Sequence, residues 1–279
     1  MIMCYTILDA KGVKRMARQS LKNVCRLIEA AKETLPVEQE FLNDLRRSIE
    51  MTEEKSSKRL PSQTYKPSGM NCIRQSYYQV SGVQPEIGTY NYNGIAICET
   101  GTDRHVRIQN AVAQMKENGI DCKYIDVANF VKTRGLDDYL EIKNQVGNET
   151  KLYHKALNIS FMCDGIIEYH NHYYIIEFKT EGSNKFFSRR GVDASHYNQA
   201  ICYSMALNLP EVLFVYISRD TLDMKAYLYT VTDEMKQRIV SYIEECDGYV
   251  KRKIAPPRPE CDKKTCMYCP YGGQCRKDG

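Results

Sequence analysis

Two β-strand-like runs separated by a short polar break constrain the fold of this chain more than any other feature. Residues 159–169 and 173–180 are rich in β-branched and aromatic side chains, and the break HNH between them predicts a hairpin turn. In this hairpin Asp164 lies on one strand, and Glu177 and Lys179 lie two positions apart on the next, so their side chains leave the same face. Asp164 can reach that face across the spacing of about 5 Å between paired strands.

The two carboxylates and the lysine of the predicted hairpin suit a particular chemistry. Carboxylate oxygens on adjacent strands form a pocket for a hard cation such as Mg²⁺ or Mn²⁺. A lysine beside them can polarise a water molecule or neutralise charge that develops during hydrolysis. The alternative is a cross-strand ion pair on a solvated face. For these three residues alone the ion pair is the better explanation, because so short a pattern often occurs by chance.

Helical patterns lie on both sides of the hairpin. Apolar residues at steps of three to five predict two helices between residues 12 and 56, and a polar linker follows over 52–69. Other helices are predicted over 99–118, 195–207 and 234–249, and other strands over 152–158, 212–218 and 225–232. We therefore expect a mixed α/β domain. No apolar run approaches the ~20 residues that a transmembrane helix needs, so no membrane span is expected.

The cysteines of the chain favour metal binding over a disulfide framework. There are 12 cysteines. The first residues lack a basic region that leads into an apolar stretch, so we expect an intracellular, cytoplasmic protein. In a reducing compartment, clustered cysteines are first considered as metal ligands. The net charge of +4 neither identifies nor excludes a nucleic-acid binder. The sequence has no G-x-x-x-x-G-K-[ST] phosphate-binding loop, so no built-in ATP motor is expected.

Two further motifs flank the hairpin. Gly101 and His105 form the G-x-x-x-H pattern GTDRH before it, and Gln199 and Tyr203 form the Q-x-x-x-Y pattern QAICY after it. With the segment ISFMCDGIIEYHNHYYIIEFKTE between them, residues 67–275 resemble the RecB-like branch of the PD-(D/E)XK nuclease superfamily. This branch often has glycine three residues before the motif aspartate, and here that position is occupied by phenylalanine.

The resemblance implies a fold and a domain organisation. It implies a restriction-endonuclease-like mixed sheet flanked by helices over residues 67–279, preceded by a helical extension and linker over residues 1–66. It also implies a metal-dependent nuclease that hydrolyses DNA, as an exonuclease on single-stranded ends. The alternatives are an endonuclease on branched or duplex DNA, and a catalytically idle fold that binds DNA or a partner. DNA repair, CRISPR adaptation and phage genome processing would all use this chemistry.

The resemblance also assigns roles to single residues. The implied metal ligands are His105, Asp164 and Glu177, with the backbone carbonyl of Phe178 as a candidate fourth. Lys179 would orient or activate the attacking water. Two residues on one face of a helix would position the phosphodiester, namely Gln199 and Tyr203. A lone histidine in an apolar helix is more often a core residue, and it is the two carboxylates that favour a ligand here.

Four cysteines at the two ends of this region resemble the ligands of iron–sulfur members of the branch, which include CRISPR-associated adaptation exonucleases and the AddB nuclease domain. They are Cys72, Cys266, Cys269 and Cys275. Four thiolates suit a [4Fe–4S] cluster or a structural Zn²⁺. Cys261 adds an alternative, because the tail 261–279 then holds four ligands by itself and Cys72 becomes an ordinary core residue. The N-terminal helices lie outside the resemblance and are predicted to dock a protein partner.

Overall fold

The computed structural model describes most of the chain, in the ranges 36–56, 61–86, 91–258, 266–267 and 269–278. Its contacts divide the chain into two units, residues 1–51 and 52–279. The first predicted helix precedes residue 36 and so lies outside the described residues, as does Cys261. The domain boundary predicted after residue 66 stays a prediction. None of the described helices combines the length and the apolar character of a bilayer crossing.

The described residues form eight helices and eight strands. The helices are α1 Val37–Ser56, α2 Ile73–Val80, α3 Tyr92–Ala113, α4 Val127–Thr133, α5 Ser183–Ser188, α6 Tyr197–Leu207, α7 Asp233–Arg252 and α8 Gly272–Lys277. The strands are β1 Cys122–Ile125, β2 Leu140–Val146, β3 Glu149–His154, β4 Ile159–Cys163, β5 Gly165–Tyr169, β6 His172–Glu181, β7 Glu211–Ser218 and β8 Met224–Thr230. Short 3₁₀ helices cover Pro67–Gly69 and Ala194–His196.

The strands form two sheets, one of five strands in the order β1-β5-β6-β7-β8 and one of three in the order β2-β3-β4. Strands β6 and β7 are parallel, and α6 lies on the crossover between them. Successive residues of a strand point to opposite faces, so Ile175 joins the larger core with residues of α6 and α7, and Ile176 joins a second core against α3. Helices therefore cover both faces. The predicted fold class, a mixed sheet flanked by helices, is confirmed.

The single strand predicted over 159–169 is wrong. The chain forms β4 in the small sheet and β5 in the large one, and Asp164 lies between them. Gly165 makes this transfer sterically feasible, because a Cβ at this position would lie 2.6 Å from a ring carbon of Tyr124. Asp164 therefore occupies the junction of two sheets instead of the middle of a strand.

Most of the other predicted elements are confirmed with small shifts at their ends. Helices α6 and α7 and strands β6, β7 and β8 lie where the sequence predicts them. Helix α1 corresponds to the second N-terminal helix, and α3 begins at Tyr92 instead of residue 99. Asn91 explains the earlier start, because its side chain accepts a hydrogen bond from the Gly94 amide and so caps the helix.

Candidate active site

Asp164 and Glu177 lie opposite each other where β5 begins to pair with β6. The antiparallel pairing of Gly165 with Ile176 brings the preceding aspartate to the position of Glu177. The Phe178 amide donates a hydrogen bond of 2.8 Å to Asp164 Oδ2, which fixes this carboxylate against the strand that carries the other one. Both residues are buried, with 5% and 3% exposed. The structure thus brings together the two carboxylates that the sequence singles out.

Lys179 is hydrogen-bonded to the second carboxylate. Its Nζ lies 2.7 Å from Glu177 Oε1 and 2.9 Å from Gln199 Oε1. Gln199 Nε2 donates to the same Glu177 oxygen over 2.6 Å. Glu177 Oε1 therefore accepts from two side chains, whereas Glu177 Oε2 is buried and has no hydrogen-bond partner among the described residues.

The unpartnered oxygen of Glu177 is an observation that a bound cation would explain. Burying a carboxylate oxygen without a donor or a cation costs free energy, because the oxygen loses its interactions with water. The residue opposite Glu177 is a second buried carboxylate, Asp164, which accepts from the Phe178 amide. Carboxylate and carbonyl oxygens are the ligands that Mg²⁺ and Mn²⁺ prefer. The residues present therefore fit a divalent cation of this type.

His105 reaches the same place from α3. One turn earlier, a Cβ at Gly101 would lie 3.1 Å from Thr180 Oγ1, so the small residue lets the helix approach β6 closely. His105 Nδ1 lies 3.9 Å from Asp164 Oδ2. Burial lowers the pKa of His105, which favours the neutral imidazole that binds metals. The predicted pairing of the G-x-x-x-H motif with the hairpin carboxylates is present in the geometry.

Glu149 is a site residue that the sequence does not predict. It is the first residue of β3, in the small sheet, and its Oε1 lies 4.0 Å from His105 Nδ1. One ligand atom from each of Glu149, His105 and Asp164 lies within 4.8 Å of the other two. Glu149 belongs to none of the recognised motifs and lies among polar residues, so the sequence offers no signal that would have identified it.

Gln199 and Tyr203 are brought to the site as predicted, but both are buried, with 9% and 3% exposed. Gln199 Nε2 also donates to the Tyr203 hydroxyl over 2.6 Å. That hydroxyl donates to the Met162 carbonyl, and the Tyr203 ring stacks on Phe161 with centroids 4.7 Å apart. Phe161 is the residue that departs from the glycine of the motif, and here it supports the tyrosine. Gln199 is hydrogen-bonded to Glu177 and Lys179 and so connects the pair to the carboxylate site. A direct contact of Gln199 or Tyr203 with DNA stays a prediction.

The four cysteines from the two ends of the domain line one cavity of about 40 Å³. Cys72 directly precedes α2, and the other three, Cys266, Cys269 and Cys275, come from the C-terminal segment. Burial raises the pKa of Cys269, with the neighbouring thiols adding to the effect. The structure thus brings Cys72 to the same cavity as the three late cysteines.

Burial changes the protonation of both site carboxylates in the metal-free protein. Burial raises the pKa of Asp164 to about 7, and the hydrogen bond from the Phe178 amide opposes it. Burial also raises the pKa of Glu177 to about 7, where the charge of Asp164 adds to the rise and Lys179 opposes it. Because the two carboxyl groups are neighbours, the charge of each one affects the pKa of the other. They therefore titrate as a coupled pair.

These pKa values predict that the carboxylates destabilise the metal-free protein as the pH rises. Exposed carboxyl groups have pKa values near 4, so between about pH 4 and pH 7 the folded chain binds more protons than the unfolded chain, and stability falls through this window. In EDTA, Asp164→Asn is expected to stabilise the protein by roughly 2 kcal/mol more at pH 7.5 than at pH 4.5. A difference of this size means that the melting temperature of Asp164→Asn exceeds that of the wild type by about 5 °C more at pH 7.5 than at pH 4.5.

Calorimetric melting curves of the two proteins at several pH values measure this difference. Asp103→Asn is the matched control, because Asp103 lies exposed on α3 and its removal leaves the site intact. A gain that shrinks as the pH rises would contradict the expected sign.

Comparison with known proteins finds similar solved structures but no matching protein family. No protein-family model and no curated protein sequence match the chain. Solved structures are similar, however, and one of them is an exonuclease. It is the alkaline exonuclease of Laribacter hongkongensis, with a TM-score of 0.37 and 12% identity over 69% of this chain and 94% of that chain. Another, SSO0001, has a TM-score of 0.45 and 16% identity over 86% of this chain and 98% of that chain. At TM-scores below 0.5 neither likeness carries an argument about function.

Proposed function

We propose that this protein is a metal-dependent nuclease that hydrolyses DNA, acting as an exonuclease on single-stranded ends. The observation that carries the proposal is the buried pair Asp164 and Glu177, with Lys179 hydrogen-bonded to one oxygen of Glu177 and the other oxygen unpartnered. The motifs around this pair resemble those of RecB-like PD-(D/E)XK nucleases. That resemblance supports DNA as the substrate and supports the preference for ends.

The proposed ligands of an Mg²⁺ or Mn²⁺ ion are His105, Asp164, Glu177 and the backbone carbonyl of Phe178. When bound, such a cation would supply positive charge to a phosphate oxygen and lower the pKa of water. The chain itself contributes a rigid arrangement of donors. The Phe178 amide holds Asp164, and Lys179 and Gln199 hold Glu177.

Lys179 is proposed to orient the attacking water and to stabilise charge on the phosphate. An ammonium group has three donors, and the described hydrogen bonds to Glu177 and Gln199 use two of them. The third is available for the water or for a phosphate oxygen. Gln199 and Tyr203 would act on the substrate through this lysine, because their own polar atoms are buried and hydrogen-bonded within the site.

A [4Fe–4S] cluster is the proposed occupant of the cysteine cavity. Its ligands would be Cys72, Cys266, Cys269 and Cys275, which line that cavity together. The cluster would join the start of α2 to the C-terminal segment, so its proposed role is structural. A Zn²⁺ ion held by four thiolates is the alternative, and the metal content of the purified protein separates the two.

The N-terminal unit is proposed to dock a protein partner. Helix α1 exposes apolar side chains that recur along it with helical spacing, namely Val37, Phe41, Leu42 and Leu45. An exposed apolar stripe of this kind is typical of helices that bind another protein.

The experiment that tests the nuclease proposal follows DNA labelled at either end. With Mg²⁺ or Mn²⁺, single-stranded DNA is expected to be shortened progressively, and the label that is released first gives the polarity. No product is expected in EDTA or with Asp164→Asn. Cleavage of circular or branched DNA would make the protein an endonuclease. If no DNA is cleaved while the metal and the cysteine cluster are bound, the proposed activity is wrong and a binding module is the remaining explanation.

A further inference from the structure

The segment that follows β6 is anchored on the face of the sheet that carries the candidate site. Glu177, Lys179 and Glu181 alternate along β6, so their side chains leave the same face. Glu181 accepts two hydrogen bonds from the Arg189 guanidinium, over 2.6 Å from Nε and 2.5 Å from Nη2, and both side chains are buried. A bidentate pair of this kind fixes orientation as well as distance. The residues between Glu181 and Arg189, which include α5, are therefore held in place at this end of β6.

Arg189 also lies close to the proposed catalytic lysine. Its guanidinium carbon lies 3.8 Å from the centre of the Tyr216 ring. Tyr216 is the neighbour of Lys179 in the parallel pairing of β6 with β7, and paired strands lie about 5 Å apart. One side chain of the neighbouring strand therefore separates Arg189 from Lys179, and the residues next to Arg189 lie near the candidate site.

Phe187 presents an aromatic ring to solvent on this anchored segment. The preceding residue, Phe186, is buried in the larger core, and the two rings meet edge to face with their centroids 5.5 Å apart. The side chain of Phe187 itself is 52% exposed. An exposed apolar residue is ordinary at a protein surface. Here, however, a buried ring and a buried ion pair fix the segment, so the exposed ring is a preorganised flat surface that can bind at a low entropic cost.

The charge of the segment indicates which class of molecule this ring binds. Residues 183–191 carry three basic side chains and no acidic one. Two of the three, Lys185 and Arg189, pair with carboxylates. Arg190 is exposed and has no carboxylate partner within the part of the chain that the structure describes, and its Nη1 donates to the Phe187 carbonyl over 2.8 Å. An aromatic ring beside an uncompensated guanidinium suits a nucleotide, because a base stacks on the ring and a phosphate pairs with the cation.

We propose that Phe187 and Arg190 form a binding platform for an unpaired nucleotide of the DNA substrate, with its base stacked on Phe187 and its phosphate bound to Arg190. This inference rests on the proposed function and gives a structural reason for the preference for single strands. Inside a duplex both faces of a base are covered by the neighbouring bases, so stacking on a protein ring requires an unpaired base. Every base has such a face, so the platform is expected to accept any sequence.

Tryptophan fluorescence tests the stacking contact directly, because the chain contains no tryptophan. The emission of Phe187→Trp is expected to fall when a single-stranded oligonucleotide is added in EDTA, since stacking on a base quenches an indole. A blunt-ended duplex of the same length is expected to leave the emission unchanged. Tyr169→Trp is the matched control, because Tyr169 is also a partly exposed aromatic residue but pairs with His172, at the opposite end of β6 from Glu181. Its emission should stay constant with both DNAs.

Fluorescence anisotropy of a labelled single-stranded oligonucleotide, also in EDTA, measures the affinity of the full-length protein. Phe187→Ala is expected to lower the affinity about tenfold, the usual effect of removing one stacking partner, whereas Tyr169→Ala should bind as the wild type does. Arg190→Gln is expected to reduce the slope of log affinity against log salt concentration by about 0.7, because it removes one phosphate contact to a single strand. The melting temperature of each variant shows that it is folded.

The outcomes separate this inference from the proposed function. The platform is overturned if the emission of Phe187→Trp stays constant with the single strand or falls equally with the duplex. Wild-type affinity in Phe187→Ala overturns it as well, and so does a wild type that binds no single strand in EDTA. Cleavage in Mn²⁺ decides the proposed function independently. A protein that binds single strands through Phe187 but cleaves no DNA would keep the platform and lose the proposed activity.

Discussion

Replacing Lys179 with methionine is expected to lower the single-turnover rate of DNA cleavage by about 10²- to 10³-fold, the usual effect of removing one donor that stabilises transition-state charge. Methionine keeps the unbranched apolar stem of the side chain and is shorter by one heavy atom, so the variant lacks the ammonium group with little loss of packing. The proposed metal ligands are untouched, and Glu177 loses a competing positive charge. The affinity for Mn²⁺ is therefore expected to stay the same or to increase, so the rate and the metal affinity should change independently.

Rapid mixing with excess enzyme measures the rate of the chemical step, and calorimetry measures Mn²⁺ affinity. Lys123→Met is the matched control, because this lysine is exposed on β1 and pairs with Glu168, toward the end of β5 that is distant from Asp164. A Lys179→Met protein that cleaves at the wild-type rate would show that the lysine has only a structural role. A protein that loses both Mn²⁺ binding and thermal stability would show the same, because the lysine would then be needed to build the site.

Cys72→Ser is expected to remove the proposed iron–sulfur cluster and to lower the melting temperature by about 10 °C. Cys72 precedes α2, and three further cysteines of the same cavity belong to the C-terminal segment, so the proposed cluster would close a loop that includes most of the domain. The free energy of ligation contributes directly to folding. A contribution of about 4 kcal/mol corresponds to a shift of this size in a domain of this length.

Iron and zinc contents, the absorbance near 400 nm that thiolate-bound iron gives, and calorimetric melting check this prediction after anaerobic purification. Cys98→Ser is the matched control, since Cys98 is exposed on α3. A colourless wild type with stoichiometric zinc would replace the cluster with a zinc site. If Cys72→Ser keeps all of its metal, the ligands are local to the tail and the assignment of Cys72 is wrong.

The part of the fold that the sequence predicts is the part with a strong periodic pattern. Strands β6 and β7 consist largely of β-branched and aromatic residues, and α7 has a regular apolar face. Strand β2 lacks such a periodic apolar pattern. Leu140 is its one buried residue, and the rest of LEIKNQV is exposed or half-exposed. Strand β1 has four residues and α4 has seven, too few for a period to be recognised.

The candidate site also has residues whose proximity the sequence predicts and residues whose proximity it does not. Asp164, Glu177 and Lys179 are close in sequence, so local hairpin geometry suffices to predict that they meet. Glu149 lies close to Asp164 only because two separate sheets are brought together, and no local pattern encodes that contact. The break at Gly165 has one signal in the sequence, the dipeptide Asp164-Gly165, but the apolar residues on both sides of it favour one continuous strand. The nearby Tyr124 ring, which excludes a Cβ at Gly165, is visible only in the structure.

The junction at Asp164 has a consequence for the stability of the candidate site. The aspartate belongs to neither sheet, and its position depends on β4 in the small sheet and β5 in the large sheet at once. The small sheet ends in the largely solvent-exposed β2, and exposed edges of this kind open locally at a lower free energy than the core. We therefore expect local opening of the small sheet to displace Asp164 from the proposed ligand set while the large sheet stays folded, so the activity of the proposed nuclease would follow the free energy of this opening as well as that of global unfolding.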